Sequence, residues 1–172
     1  MTKEYAELQK KLGYRFKEEQ WLRAALTHRS YRYESQRVTQ DNQRLEFLGD
    51  AVLSLVCAAH LFERFPDMEE GDLTRFRSRV TNSKILARIG RRLGLGEHLR
   101  LGRGEELSGG ATRASNLADA VEAVIGAAHI DGGLKGVGKI FKLHFKPELD
   151  DLMHNAWVDN PKGVLQEYCQ TI

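Results

Sequence analysis

Two pairs of carboxylates stand where carboxylates are costly. Glu46 and Asp50 interrupt the otherwise apolar run Leu45–Phe62, and their i, i+4 spacing puts them on one helical face, opposite Leu48, Val52, Leu55 and Val56. Asp119 and Glu122, at i and i+3, repeat the pattern within Leu117–Ile130, a segment of apolar and small residues. A buried carboxylate must be neutralised by a proton, a cationic partner or a metal, because desolvating its charge costs several kcal/mol. One reading is structural: Arg44, Arg113 and similar cations pair with the acids. The other is chemical: four oxygen donors converging between two helices suit Mg²⁺ or Mn²⁺, which prefer carboxylate and water. A di-iron bundle would want Glu-x-x-His pairs, and the chain has none. Carboxylate-only ligation beside a basic surface favours metal-assisted phosphodiester chemistry.

The basic surface is visible in the charge distribution. Net charge over 172 residues is only +2, but Arg75–Arg103 holds nine Lys or Arg against the single acid Glu97. That stretch carries +8 and leaves −6 for the rest. Such segregation marks either a nucleic-acid footprint or a solvated basic helix face.

The elements that must position these groups read as helices. The length suits one domain with a short appendage, and 29% charged with 41% hydrophobic residues is the composition of an ordered globular chain. Alternating strand-like runs are nearly absent, so the expected fold is all-α. Expected helices are Lys3–Leu12, Lys17–Thr27, Asp41–Phe65, Gly71–Val80, Asn82–Leu93, Ser115–Ile130, Leu134–Leu152 and Pro161–Tyr168. The apolar phase of Leu73, Phe76 and Val80 breaks before Ile85, Leu86, Ile89 and Leu93, so Thr81 or Asn82 is expected to cap a new helix. The glycine-rich stretch from Leu93 to Gly110 reads as a long irregular connection, and Asn155–Lys162 as a linker.

Cys57 and Cys169 show no metal-ligand spacing, and the first residues lack the apolar core of a secretion signal. A reducing, cytoplasmic setting is expected. Two acids inside the longest apolar run argue against a bilayer span. His28, His60 and His129 read as structural histidines, and Gly49 as a site of close helix packing.

Asn42-Gln-Arg-Leu-Glu-Phe-Leu-Gly-Asp-Ala-Val-Leu53 closely resembles the signature segment of the ribonuclease III family, endonucleases specific for double-stranded RNA. Leu26-Thr-His-Arg-Ser30, Glu70-Gly-Asp-Leu73, Leu117–Gly126 and Asp131-Gly-Gly133 extend the resemblance over about residues 5–150. It implies a dimeric all-α fold, with Glu46, Asp119 and Glu122 holding Mg²⁺ (Mn²⁺ substituting) and Asp50 and Glu122 as the catalytic pair. It further implies that Phe47 enters a pocket of a second subunit in a homodimer. The expected products of duplex RNA cleavage are 5′-phosphate and 3′-hydroxyl ends with short 3′ overhangs, and the expected roles are in ribosomal and messenger RNA processing. The alternative is a catalytically inactive duplex-RNA-binding or ribosome-associated relative. Gln43 replaces a glutamate common in relatives, and Glu70 matches a further acid; both are expected near the site as outer-shell groups. Arg91, Arg92 and Arg103 are the expected RNA contacts, since A-form RNA is read through shape, phosphates and 2′-hydroxyls. Asp159–Tyr168 resembles the opening of a double-stranded RNA-binding domain. The expected division is therefore a catalytic domain at 1–154 and, at 155–172, a linker with the first helix of an incomplete RNA-binding domain.

Overall fold

The structure is a computed structural model that describes residues 5–35 and 38–159, with side chains as far as residue 154. Nine α-helices occupy the described residues: α1 (Ala6–Leu12), α2 (Glu19–Ala25), α3 (Arg29–Glu34), α4 (Gln43–Arg64), α5 (Glu70–Val80), α6 (Ser83–Leu93), α7 (Arg103–Leu107), α8 (Ala114–His144) and α9 (Lys146–Asp159). No strand occurs among them, as the sequence pattern leads one to expect.

Helices α4 and α8 are the spine. Leu45, Gly49, Val52, Leu53, Cys57 and Leu61 form the buried stripe of α4, a three-to-four-residue repeat that faces α8. The first half of α8 is buried nearly all round, from Leu117 to Ala128, because α4, α6 and α2 cover different sides of it. By length and composition α4 could cross a membrane, yet its apolar stripe is spent on α8. Pro66 ends α4: the residue before a proline is pushed out of the helical region, and Phe65 stands at φ −132°, ψ 71°. Asn82 caps α6 as expected, its side chain accepting a hydrogen bond from the Ile85 amide at 3.0 Å. Gly94 closes α6 in the left-handed conformation, at φ 74°.

Several expectations are corrected. The break expected between Ile130 and Leu134 is present as a kink in α8 at Gly133, φ 62° and ψ −165°, but Leu134–Leu152 is not one helix: α8 stops at His144 and α9 starts at Lys146. Pro147 is the reason, since it lacks an N–H and its ring would clash with the preceding turn, whereas the first turn of a new helix tolerates it. The helix placed at 17–27 begins only at Glu19. Between Leu93 and Gly110 the connection contains a 3-10 turn, Leu95–Glu97, and the short α7, and its Arg100 bridges back to Thr27. Helix α3 has six residues, too few to leave a periodic signal. The linker expected from Asn155 opens as helix, because α9 runs to Asp159; the helix expected at Pro161–Tyr168 lies outside the described residues, as does Cys169.

Two polar clamps fix the periphery. The Asp131 carboxylate accepts hydrogen bonds from the Tyr14 hydroxyl at 2.6 Å and from the Lys17 and Glu18 amides at 2.9 Å, fastening the entry to α2 onto α8. Burial opposes its ionisation, but these donors outweigh burial and hold the carboxyl below its ordinary range. On the other side Glu148 of α9, only 4% exposed, takes Arg88 and, at 2.8 Å, Arg92 from α6. Arg92 also donates to the His144 carbonyl at 3.0 Å.

Candidate active site

The metal-ligating candidates come from the crossing of α4 and α8. A helix places i and i+3 or i+4 side chains on one face, so Glu46 and Asp50 line one wall and Asp119 and Glu122 the other. The helices approach closely because each carries a glycine at the crossing. A Cβ added to Gly49 would lie 1.8 Å from the Glu122 carbonyl oxygen, and one added to Gly126 would lie 2.2 Å from that of Leu45. Sequence reasoning gave Gly49 a packing role and did not single out Gly126; its signal was a glycine one turn beyond Glu122.

Carboxylate oxygens of Glu46, Asp119 and Glu122 lie within 4.8 Å of one another, and all three residues are half-buried. Asp50 falls outside that trio, with an exposed side chain. None of the four is ion-paired among the described residues: Arg113, one of the cations the structural reading assigned to them, pairs with Glu105 instead. The crowding is therefore relieved only in part, by charges that form no ion pair with the acids. Burial first, and then the charges of Asp50, Glu46 and Asp119, push the Glu122 carboxyl up to about 7. Burial, with Asp119 next, also raises Glu46, which the charge of Arg29 partly restores. Burial raises Asp119 against the opposing charges of His28 and Arg29. An oxygen-only trio with rising pKa values and no cationic partner fits a hard divalent cation, which would relieve the repulsion directly.

The remaining candidates divide. Gln43 opens α4 one turn before Glu46, its side chain exposed. Glu70 is not in the acidic cluster; it opens α5, accepts the Thr74 hydroxyl at 2.9 Å, and lines a groove of about 410 Å³ with Leu55, Ala58, Phe62 and Leu73. Phe47 is 81% exposed, next in sequence to Glu46. Arg92 is committed to Glu148 and the His144 carbonyl, whereas the Arg91 and Arg103 side chains have no partner among the described residues. The basic run is further divided by Arg75 pairing with Asp72, and by Arg100 stacking on Tyr31 at 4.4 Å.

Glu105, which sequence reasoning passed over, belongs to the rim. Asn116 of α8 donates to it at 2.8 Å and Arg113 pairs with it, so the carboxyl stays below its ordinary range, the Asn116 bond being the largest cause. This ties α7 to the start of α8, one turn from Asp119. An acid inside a glycine-rich connection was the available signal.

Comparison with known proteins converges with this geometry. A family model described as Ribonuclease-III-like matches residues 18–149. The chain is 44% identical over 171 residues to Ribonuclease 3 of Pseudomonas fluorescens, covering 99% of this chain and 72% of that protein. To Ribonuclease 3 of Moorella thermoacetica it is 48% identical over 147 residues, or 86% and 62% of the two chains. A crystal structure of the ribonuclease III nuclease domain of Campylobacter jejuni superimposes with a TM-score of 0.76 at 39% identity, covering 85% of this chain and 97% of that one. Another structure of that nuclease domain, with a TM-score of 0.75 at 40% identity over 83% and 96% of the chains, is described by flexibility in a region involved in dimer formation. With the family match, the identity and the shared fold in agreement, the chain belongs to the ribonuclease III family of endoribonucleases.

Proposed function

We propose that the protein hydrolyses double-stranded RNA as a Mg²⁺-dependent homodimer, leaving 5′-phosphate and 3′-hydroxyl ends with short 3′ overhangs, in the processing of ribosomal precursor and messenger RNA. One observation carries the reading: three half-buried carboxylates meet between α4 and α8, and none of them is ion-paired among the described residues. A divalent cation held there supplies Lewis acidity toward phosphate oxygens and lowers the pKa of bound water. Glu46, Asp119 and Glu122 supply its protein oxygens. Asp50, exposed at the mouth of the site, stands beside Glu122 and is the group placed to take a proton from solvent-borne species, while the close crossing at Gly49 and Gly126 keeps the four acids in register. Mn²⁺ would serve in place of Mg²⁺, since the donor set is oxygen only.

The dimer reading rests on α4 as well. Phe47 protrudes, and the groove lined by Leu55, Ala58, Ala59, Phe62 and Leu73 is the apolar concavity that fits such a ring. A two-fold arrangement would place Phe47 of each copy in the groove of the other. Arg91 and Arg103 are the contacts we assign to duplex phosphates.

The test is cleavage of a uniform RNA duplex across Mg²⁺ and salt concentrations, with the end chemistry determined. Metal-dependent cutting to 5′-phosphate ends supports the reading. Binding without cleavage would favour the inactive relative, and so would Glu122→Gln cutting at the wild-type rate.

A further inference from the structure

Beside the acidic cluster one imidazole is held in a fixed orientation with one nitrogen unassigned. The turn carrying His28 is pinned from three sides. Its own amide donates to the Arg100 carbonyl at 3.0 Å, and the Asn42 amide, at the start of α4, donates to the Thr27 carbonyl at 2.8 Å. The Gly102 amide donates to the Ser30 hydroxyl oxygen at 2.9 Å. The ring is fixed in turn: Nδ1 accepts from the Ser30 amide at 3.3 Å, capping α3, and lies 2.8 Å from the Ser30 hydroxyl. Nε2 carries a proton in the neutral ring, because Nδ1 is engaged as an acceptor, and in the charged ring as well. That Nε2–H has no partner among the described residues.

The Thr27–Asn42 bond sets this turn one helical turn before Glu46, and the ring bonds neither Asp119 nor Glu105. Glu105 has its own donors in Asn116 and Arg113. An oriented, unspent donor at the edge of a carboxylate cluster answers a specific need: the cluster repels the phosphate it must receive, and donors set beside it offset that repulsion.

We infer that His28 is a further catalytic residue, whose Nε2–H donates to a non-bridging oxygen of the scissile phosphate, with Ser30 as the positioning residue that holds the ring. The inference rests on the proposed duplex-RNA hydrolysis and adds a substrate contact to it.

Two substitutions separate this role from simple helix capping. Asn is among the best N-caps and its side-chain oxygen can replace Nδ1, but it cannot reach the place of Nε2. Gln reaches that place with an N–H donor and caps poorly. His28→Asn is therefore expected to melt with the wild type and bind Mn²⁺ alone with unchanged affinity, yet to lose about 10- to 100-fold in kcat on a uniform RNA duplex with little change in KM. His28→Gln is expected to melt lower and still cut faster than His28→Asn. A capping role predicts the reverse order of activity, and either His28→Asn cutting at the wild-type rate or His28→Gln cutting no faster than His28→Asn would overturn the inference. A wild type that does not cut duplex RNA defeats the proposed function itself; a wild type that cuts, matched by His28→Asn, defeats only the role of His28.

Discussion

At Glu122, burial and three neighbouring carboxylates act in the same direction, which couples the site to pH near neutrality. A metal needs the ionised form, so Mn²⁺ affinity measured by calorimetry should rise with pH and level off above about 7. The stability consequence runs the opposite way. Because the folded pKa lies above the unfolded one, its stabilising contribution in the metal-free protein is present at low pH and is lost as pH rises through about 7. Glu122→Gln should therefore stabilise the metal-free protein at pH 8, by on the order of 1 kcal/mol in chemical denaturation after allowing for solvent screening. The same substitution should abolish the thermal stabilisation that Mg²⁺ gives the wild type. The four acids were legible in the sequence because a charge inside an apolar helix face has few explanations. Arg92 was misread for a matching reason: its partner Glu148 lies 56 residues away, and a charge run does not say which of its members are already paired. Glu70, expected as an outer-shell group, lines the groove and is not one of the acidic trio.

Among the elements, the α4–α8 crossing is the sensitive joint. Gly49→Ala and Gly126→Ala each drive a methyl into backbone of the other helix, which cannot rotate away as a side chain can. Overpacking of this kind costs about 1–3 kcal/mol or more, and parting the helices should also weaken Mn²⁺ binding. Gly71→Ala is the contrasting substitution: nothing lies within 4 Å of its added methyl, so a gain of about 0.5–1 kcal/mol in chemical denaturation is expected from helix propensity. Long helices were legible because the apolar period persists through several turns. The short ones were not: α3 and α7 are set by hydrogen bonds to each other across the sequence, the Gly102 amide donating to the Ser30 hydroxyl oxygen and the Arg103 amide to the Glu34 carboxylate. The break before α9 was present in the sequence as Pro147, but the apolar phase on both sides concealed it.

For the whole molecule, assembly and RNA binding are the open quantities. In the proposed dimer each Phe47 ring is buried, so Phe47→Ala should shift the protein toward monomer in sedimentation equilibrium, at about 2–3 kcal/mol for each of the two rings. An unchanged dissociation constant would remove Phe47 from the interface. Charge reversal at Arg91 and Arg103 should weaken duplex binding and flatten its dependence on salt by about one unit of slope per lost phosphate contact, whereas reversal at Arg92 should chiefly lower the melting temperature by leaving Glu148 buried and underpaired. Helix α4 joins these properties. Its inner stripe, Leu45, Leu53, Cys57 and Leu61, is core; Glu46 and Asp50 face the acidic site; Gly49 admits α8; Phe47, Leu55 and Phe62 form the outer apolar side. In its first three turns only Gln43, Arg44 and Ala51 are exposed without an assigned contact. In a saturation mutagenesis library selected for function, α4 should emerge as the segment with the fewest accepted substitutions, and compensating second changes should cluster on α8.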